Sequence, residues 1–452
     1  MKLLGSLFRW EPVARLFDDG ATLQTMLDFE AALARAGAAA GVIPLSAATA
    51  IAAKCRAELL DLDNLAQSAA LSGNLAIPLI AQLKELVAKN SKDEKTRAAT
   101  DFVHFGATSQ DVIDTGRILQ LREALRLIDG ELQQLTDTLA KLAVEHRTTV
   151  MVGRTWLQHA VPTTLGFKFA GWLDALGRHR GRLRQTQERC LVLQFGGAVG
   201  TLATLGTHGE QVANSLSEEL NLLQSAIPWH SHRDRMAEIA TTMGLLCETL
   251  GKIARDISLH GQTEIGELRE PSGQGRGNSS TMPHKRNPVA SAIILSAAFR
   301  VPGLVSTMLS AMVQEDERGV GGWHAEWETL PEIVCLTGAA AHQLAGVIPK
   351  LEIDVARMQE NLELSNGLIF AEAINAALGK KLGHTQARKL VDTFCQQAYK
   401  EKKHLRSVLE NNAEISRHLS PAELDNLFDA HKHLGSANLF IDRVIAQYGS
   451  RR

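Results

Sequence analysis

The sequence predicts a mainly α protein built around a bundle of long helices, and three observations lead there. Apolar residues fall at Leu121, Leu125, Ile128, Leu132, Leu135, Leu139 and Leu142, in alternating steps of four and three, so they share one stripe of a long helix. A second seam with the same alternation runs through Met236, Ile239, Met243, Leu246, Leu250, Ile253 and Ile257. The stretch from Pro288 to about Val313 is apolar on nearly every face, the pattern of a helix buried all round. Convincing alternating segments joined by hairpin dipeptides are missing, so strands are expected to be sparse.

The segment Gly106 to Asp111 (GATSQD) punctuates the chain ahead of the first long helix and sets an N-terminal helical domain at 1–110. The central bundle domain is expected over 111–352. Its second seam reaches polar residues at His260 and Glu264; either the helix leaves the bundle there, or polar groups turn inward near a site. A Gly-rich stretch, Pro271 to Asn278, interrupts the bundle, and Asn287 followed by Pro288 reads as the N-cap and first residue of the all-apolar helix. An oligomer of bundles buries such a helix more easily than one subunit does, which favours a homo-oligomer. Gly319, Gly321 and Gly322 follow it. The remainder, 353–452, is more charged and is expected to form a small helical C-terminal domain, with Lys400, Lys402 and Lys403 on a solvated face.

Composition narrows the function. A chain of 452 residues has a prior of about three domains. Forty-eight Lys and Arg against fifty Asp and Glu leave a formal net charge of -2, which argues against nucleic acid or an anionic membrane as partner. The five cysteines are widely spaced and contain no CxxC, so neither a disulfide framework nor a zinc knuckle is expected. Arg9 cuts short the apolar N-terminus, and Arg300 and Pro302 or His342 interrupt the longest apolar stretches. No signal peptide or membrane span is expected, and the location is expected to be cytoplasmic.

The segment Gly277 to Val289, GNSSTMPHKRNPV, is the most informative in chemistry. It delivers two hydroxyls, Ser279 and Ser280, with Lys285 and Asn287 beside the positive end of a helix, an arrangement suited to an anion whose charge grows during reaction. The preceding glycines allow a loop that closes over a ligand. Two further polar clusters interrupt apolar surroundings: His104 with Thr108, Ser109 and Asp111, and Arg154, Thr155, Trp156, Gln158 and His159. Sixteen histidines include no HExxH, and no dinucleotide or phosphate fingerprint occurs in its required context. Neither metal nor cofactor is expected.

At SSTMPHKRNP the sequence resembles the signature of the fumarase/aspartase superfamily, which includes argininosuccinate and adenylosuccinate lyases. Further matches are TMLDFEAALARA from Thr25, GATSQDVIDT from Gly106, GRTWLQHAVPTTLG from Gly153, LQFGGAVGTL from Leu193, RDRMAEIA from Arg233 and QTEIGEL from Gln262. The resemblance implies a three-domain fumarase/aspartase-like fold and a homotetramer whose active sites are shared between subunits. It further implies a small polycarboxylate substrate and an aci-carboxylate carbanion. By motif position Ser279 exchanges the proton, Lys285 and Asn287 stabilise the carbanion, and Thr108 and Ser109 bind carboxylate. Ser280, Met282, His104 and Arg318 are expected among the substrate-binding residues, as are Arg154, Gln158 and His159. Asn278 stands where the family commonly has glycine.

Trp156 is the informative departure, because most of these lyases read T-H-x-Q where this sequence has TWLQ. Losing that acid is tolerable when the leaving group is a carboxylate, with a pKa near ~4, and intolerable for an amide anion or hydroxide. An internal carboxylate adding to an alkene meets the condition, so an intramolecular cycloisomerase is expected. Glu326 and Trp327 follow Glu317 and Arg318 where adenylosuccinate lyases commonly have a second arginine. A lyase releasing fumarate is the alternative; a catalytically silent structural protein agrees poorly with the intact Ser279, Lys285 and Asn287 set.

Overall fold

The structure, a computed structural model, describes residues 2–89, 98–272, 277, 281–282 and 284–448. Helix α1 (Asp19–Ala39) starts where the Asp18 carboxylate accepts the Ala21 amide, and it buries Met26, Leu27, Phe29 and Leu33. The longest helix, α2 (Ser109–Glu145), runs for 37 residues. An antiparallel hairpin follows, β1 (Val150–Thr155) with β2 (Gln158–Thr164), and then α3 (Leu165–Cys190) and α4 (Asp234–His260). The short strand β3 (Leu268–Arg269) pairs with β4 (Glu352–Ile353), one on each side of α5 (Val289–Ser310) and α6 (Gly322–Val347) in the chain. Helix α7 (Val355–Glu363) leads into the short C-terminal helices.

The described chain is mainly α, as its periodicity requires. Leu121, Leu125, Ile128, Leu132, Leu135 and Leu139 are fully buried, as are Ile239, Met243, Leu246 and Leu250. Leu142 is only half-buried and Ala143 takes the inward position, because a straight α-helix drifts off a 3.5-residue repeat. Helix α4 stops at His260, whose ring is buried, while Glu264 stands in solvent. The helix therefore ends where the seam turns polar, with His260 turned inward and Glu264 outside.

Residues pack as two compact units, one of Met1–Glu131, His179–Leu250 and Ile293–His342, the other of Leu132–Arg178, Gly251–Ala292 and Gln343–Arg452. In the first unit, a Cβ on Gly244 of α4 would lie 3.0 Å from Val305 of α5, and one on Gly338 of α6 would lie 3.4 Å from Ile128 of α2. Thr186 of α3 meets Thr242 of α4 hydroxyl to hydroxyl at 3.0 Å. The second unit has its own core, in which Val150 and Val152 of β1 pack with Leu362, Phe370, Ile374, Val391, Phe394 and Leu409.

Three expectations need correction. The β1–β2 hairpin was not legible: its two-residue turn is Trp156 (φ 53) and Leu157 (φ 63), a left-handed pair where Asn-Gly is the usual signal. Each bulky residue there costs about 1–2 kcal/mol. Second, α5 is not buried all round within one chain. Phe299 is 72% exposed and Leu309 48%, and with a mean hydropathy of 1.7 the helix is long and apolar enough to cross a membrane by composition alone, despite Arg300. Third, Asn287 is not the N-cap. Helix α5 begins at Val289, and the Pro288 carbonyl accepts the first helical bond, from the Ala292 amide, at 3.0 Å.

Candidate active site

Two groups of site residues form, one in each unit. In the first, Gly106 (φ 81) makes the turn into α2, and a Cβ there would meet Leu205 at 2.7 Å. Thr108 and Ser109 stand at the helix start. The buried Asp111 clamps the turn: its carboxylate accepts the Thr108 amide at 3.0 Å, the Gly196 and Gly197 amides at 3.1 and 2.9 Å, and the Gln194 side chain at 3.0 Å. His230 Nε2 lies 2.8 Å from the same carboxylate. Asp111 and His230 thus hold the loop rather than face a ligand. Arg318 reaches this site by donating to Gln110 Oε1 at 3.2 Å and to the Ala198 carbonyl at 3.0 Å, so the structure joins two predicted residue groups that are far apart in sequence.

His104 sits just before this turn with φ 63. Its Nδ1 lies 2.6 Å from Oε1 of Glu30, a carboxylate with no exposed side-chain surface. Burial alone would lower the imidazole pKa, but Glu30, helped by Asp111, outweighs it and raises the pKa above the ordinary value. Sequence reasoning missed Glu30. Its only signal is a lone acid inside the otherwise apolar run Phe29–Ala34. Beneath α2 lies a second missed network: buried Arg233 forks between Asp114 (2.6 Å) and Glu326 (2.6 Å), and Trp323 Nε1 donates to Asp114. Glu326 therefore neutralises a core arginine.

In the second unit the hairpin is anchored through Arg154. Both Nη atoms donate to Glu267, at 2.8 and 2.7 Å, and Glu267 also meets His260 Nδ1 at 2.8 Å and accepts Asn361 Nδ2 at 2.8 Å. Burial pushes the Glu267 carboxyl up, yet these partners overcome it and bring its pKa down to about 2. Burial lowers the pKa of His260, reinforced by Lys168 and Arg154, and it lowers that of His159, reinforced by Arg154. Lys168 is lowered by burial too. His159 pairs in register with Arg154. At the tip, Gln158 is exposed and Trp156 is 97% exposed.

Lys285 and Asn287 line a cavity of about 650 Å³ with His284, Arg286, Arg269 and Glu270. The Asn287 amide donates to the Gly277 carbonyl at 2.9 Å, and Gly277 (φ 70) leaves no room for a Cβ, which would stand 2.8 Å from Asn287 O. Met282 is partly exposed. Arg286 is paired with Glu352. The positive end of α5 is already occupied: Glu270 accepts the Ala290 amide at 3.0 Å and the Ser291 amide at 2.7 Å. The expectation that these amides face a substrate anion is corrected accordingly, since a carboxylate of the chain caps them. Asn278, Ser279 and Ser280 lie outside the described residues.

The family described as Lyase matches residues 11–303, and the one described as Adenylosuccinate lyase C-terminus matches residues 367–444. Over 447 residues the chain is 51% identical to 3-carboxy-cis,cis-muconate cycloisomerase of Pseudomonas aeruginosa, covering 99% of this chain and 96% of that one. It is 40% identical to nitrosuccinate lyase of Streptomyces davaonensis over 451 residues, covering 98% and 94%. The crystal structure of 3-carboxy-cis,cis-muconate lactonizing enzyme from Pseudomonas putida matches with a TM-score of 0.94 at 48% identity, over 99% of each chain. Signature loop, paired helix seams and whole-chain likeness agree, and the chain belongs to the lyase family of the fumarase/aspartase superfamily.

Proposed function

We propose that the chain is a cycloisomerase interconverting 3-carboxy-cis,cis-muconate and 4-carboxymuconolactone, in the protocatechuate branch of the β-ketoadipate pathway. One observation carries the reading: the 51% identity, over nearly the full length, to an enzyme named for that reaction. Trp156 supplies its physical reason, since a carboxylate nucleophile or leaving group needs no proton from that position.

In the lactonising direction one substrate carboxylate forms a C–O bond to the conjugated alkene. The π electrons move onto a neighbouring carboxylate as an aci-carboxylate, and Ser279 gives the α carbon its proton. Lys285 and Asn287 hold the growing charge. Thr108, Ser109, Arg318 and the charged form of His104 bind the remaining carboxylates. Trp156, Gln158, His159, Ser280 and Met282 shape the pocket, and Arg154 sets the hairpin through Glu267. The assembly belonging to this reading is a cytoplasmic homotetramer of three-domain chains (1–110, 111–352, 353–452), in which partner subunits cover the apolar faces of α5 and the Trp156 tip.

Nitrosuccinate lyase, at 40% identity, favours a second reading, elimination from a substituted succinate. Incubating the purified protein with 3-carboxymuconate, with adenylosuccinate and with nitrosuccinate, and following each chromophore, separates them. Turnover of 3-carboxymuconate alone is expected for the cycloisomerase reading; turnover of a succinate derivative alone overturns it.

A further inference from the structure

A second cavity, of about 80 Å³, lies apart from these residue groups in the first unit, lined by Thr22, Thr25, Met26, Leu75, Ile113, Gly116, Arg117, Gln120 and Trp327. Three of these bring hydrogen-bond donors with capacity to spare. The guanidinium of Arg117 donates to the Trp327 carbonyl at 3.2 Å and lies over the Phe17 ring, 5.6 Å from its centroid, and among the described residues no carboxylate pairs with it. Asp114, the acid whose charge acts on it, is shared among Arg233, Gln110 and Trp323. Indole Nε1 of Trp327 is buried without a partner. The Thr22 hydroxyl accepts from Gln120 Nε2 at 3.0 Å, which leaves its own hydrogen to give.

Acceptors in the same wall are mostly consumed. The Trp327 carbonyl takes Arg117, the Thr22 carbonyl takes the Thr25 hydroxyl, and Thr22 Oγ1 takes Gln120. What remains is neutral, the amide carbonyl of Gln120 and the Thr25 hydroxyl oxygen, set against a full positive charge and two further donors. A water molecule, which occupies about 30 Å³, would also fit but would leave the charge of Arg117 without a counter-charge. A small anion needs donors only. Burial holds the Arg117 guanidinium down to about 10, and the charge of Asp114 offsets that only in part. The walls are firm, because α1 and α2 meet closely here: a Cβ on Gly116 would stand 3.2 Å from Met26 Cγ and 3.3 Å from its amide nitrogen.

We propose that Arg117, Trp327 and Thr22 form a binding site for a small monovalent anion of halide size, separate from the site for the substrate. The cavity is too small for a polycarboxylate, and the anion ties α2 to α6 and to the start of α1.

Unfolding of the full-length protein, followed by scanning calorimetry in sodium gluconate with chloride or bromide substituted at constant ionic strength, tests the proposal. Tm is expected to rise saturably by about 2 °C or more with either halide. Arg117→Met should abolish the rise, and Trp327→Phe and Thr22→Val should each shift it to higher halide concentration. Crystals grown in bromide should show anomalous density beside Arg117. An equal Tm in gluconate and halide, an undiminished rise in every variant that folds, or bromide located only elsewhere would each overturn it.

Discussion

Ser279 has one chemical duty in the proposed reaction, delivery of a proton to carbon. Ser279→Ala is therefore expected to lower kcat by about a hundredfold or more while Tm stays unchanged, and Ser280→Ala to be milder. Steady-state kinetics beside a thermal melt check both. At Trp156 the expectation is a negative: Trp156→His should not raise kcat with 3-carboxymuconate, because a carboxylate has no use for an acid there. A marked rise would mean that protonation at this position limits the reaction. Glu267 gives a dependence on pH. Its folded pKa is about 2 against an ordinary 4.5, so on acidification the unfolded chain takes up the proton first. The stabilisation is complete above about pH 4.5 and is lost as pH falls towards 2. Glu267→Gln should cost about 2 kcal/mol or more at pH 7, and urea titrations should show the gap to wild type closing through that window.

Elements in this chain are held by side chains that complete their ends. Helix α5 opens after Pro288 and leaves amides without helical partners, and Glu270, directly after β3, turns its carboxylate onto two of them. The contact joins a favourable charge at the helix start to the strand that also follows Glu267. Glu270→Ala should cost about 1 kcal/mol in chemical denaturation, a typical loss for a helix cap. The hairpin shows the opposite economy. Its tip holds Trp156 and Leu157 in left-handed backbone, and the bidentate grip of Glu267 on Arg154 offsets that strain from the base of the turn. The turn itself demands the left-handed pair, and bulky residues there leave the indole nearly fully exposed.

For the whole molecule, α5 poses the largest question of burial. Phe299 and Leu309 leave much of a 22-residue apolar helix uncovered in the single chain, and an apolar face of this kind marks an interaction surface. Light scattering should report a tetramer, and Phe299→Glu should shift it to smaller species with activity lost in parallel. A monomer that turned over 3-carboxymuconate would exclude sharing of the site.

Periodicity and motif by themselves determined the helical class, the two buried seams, the signature motif and the two clusters of polar residues. These are local properties, because a 3.5-residue repeat or a Gly-rich interruption is complete within its own segment. Only tertiary structure decided what the charged groups are for. Asp111 reads as a site acid until three amides and His230 are seen to close on it; Arg154 reads as a substrate ligand until Glu267, 113 residues later, takes both of its Nη atoms. Glu270 and Glu30 gave almost no sign. A buried carboxylate is set by the partner that neutralises it, and that partner is chosen by packing between distant segments, which no spacing in the chain records.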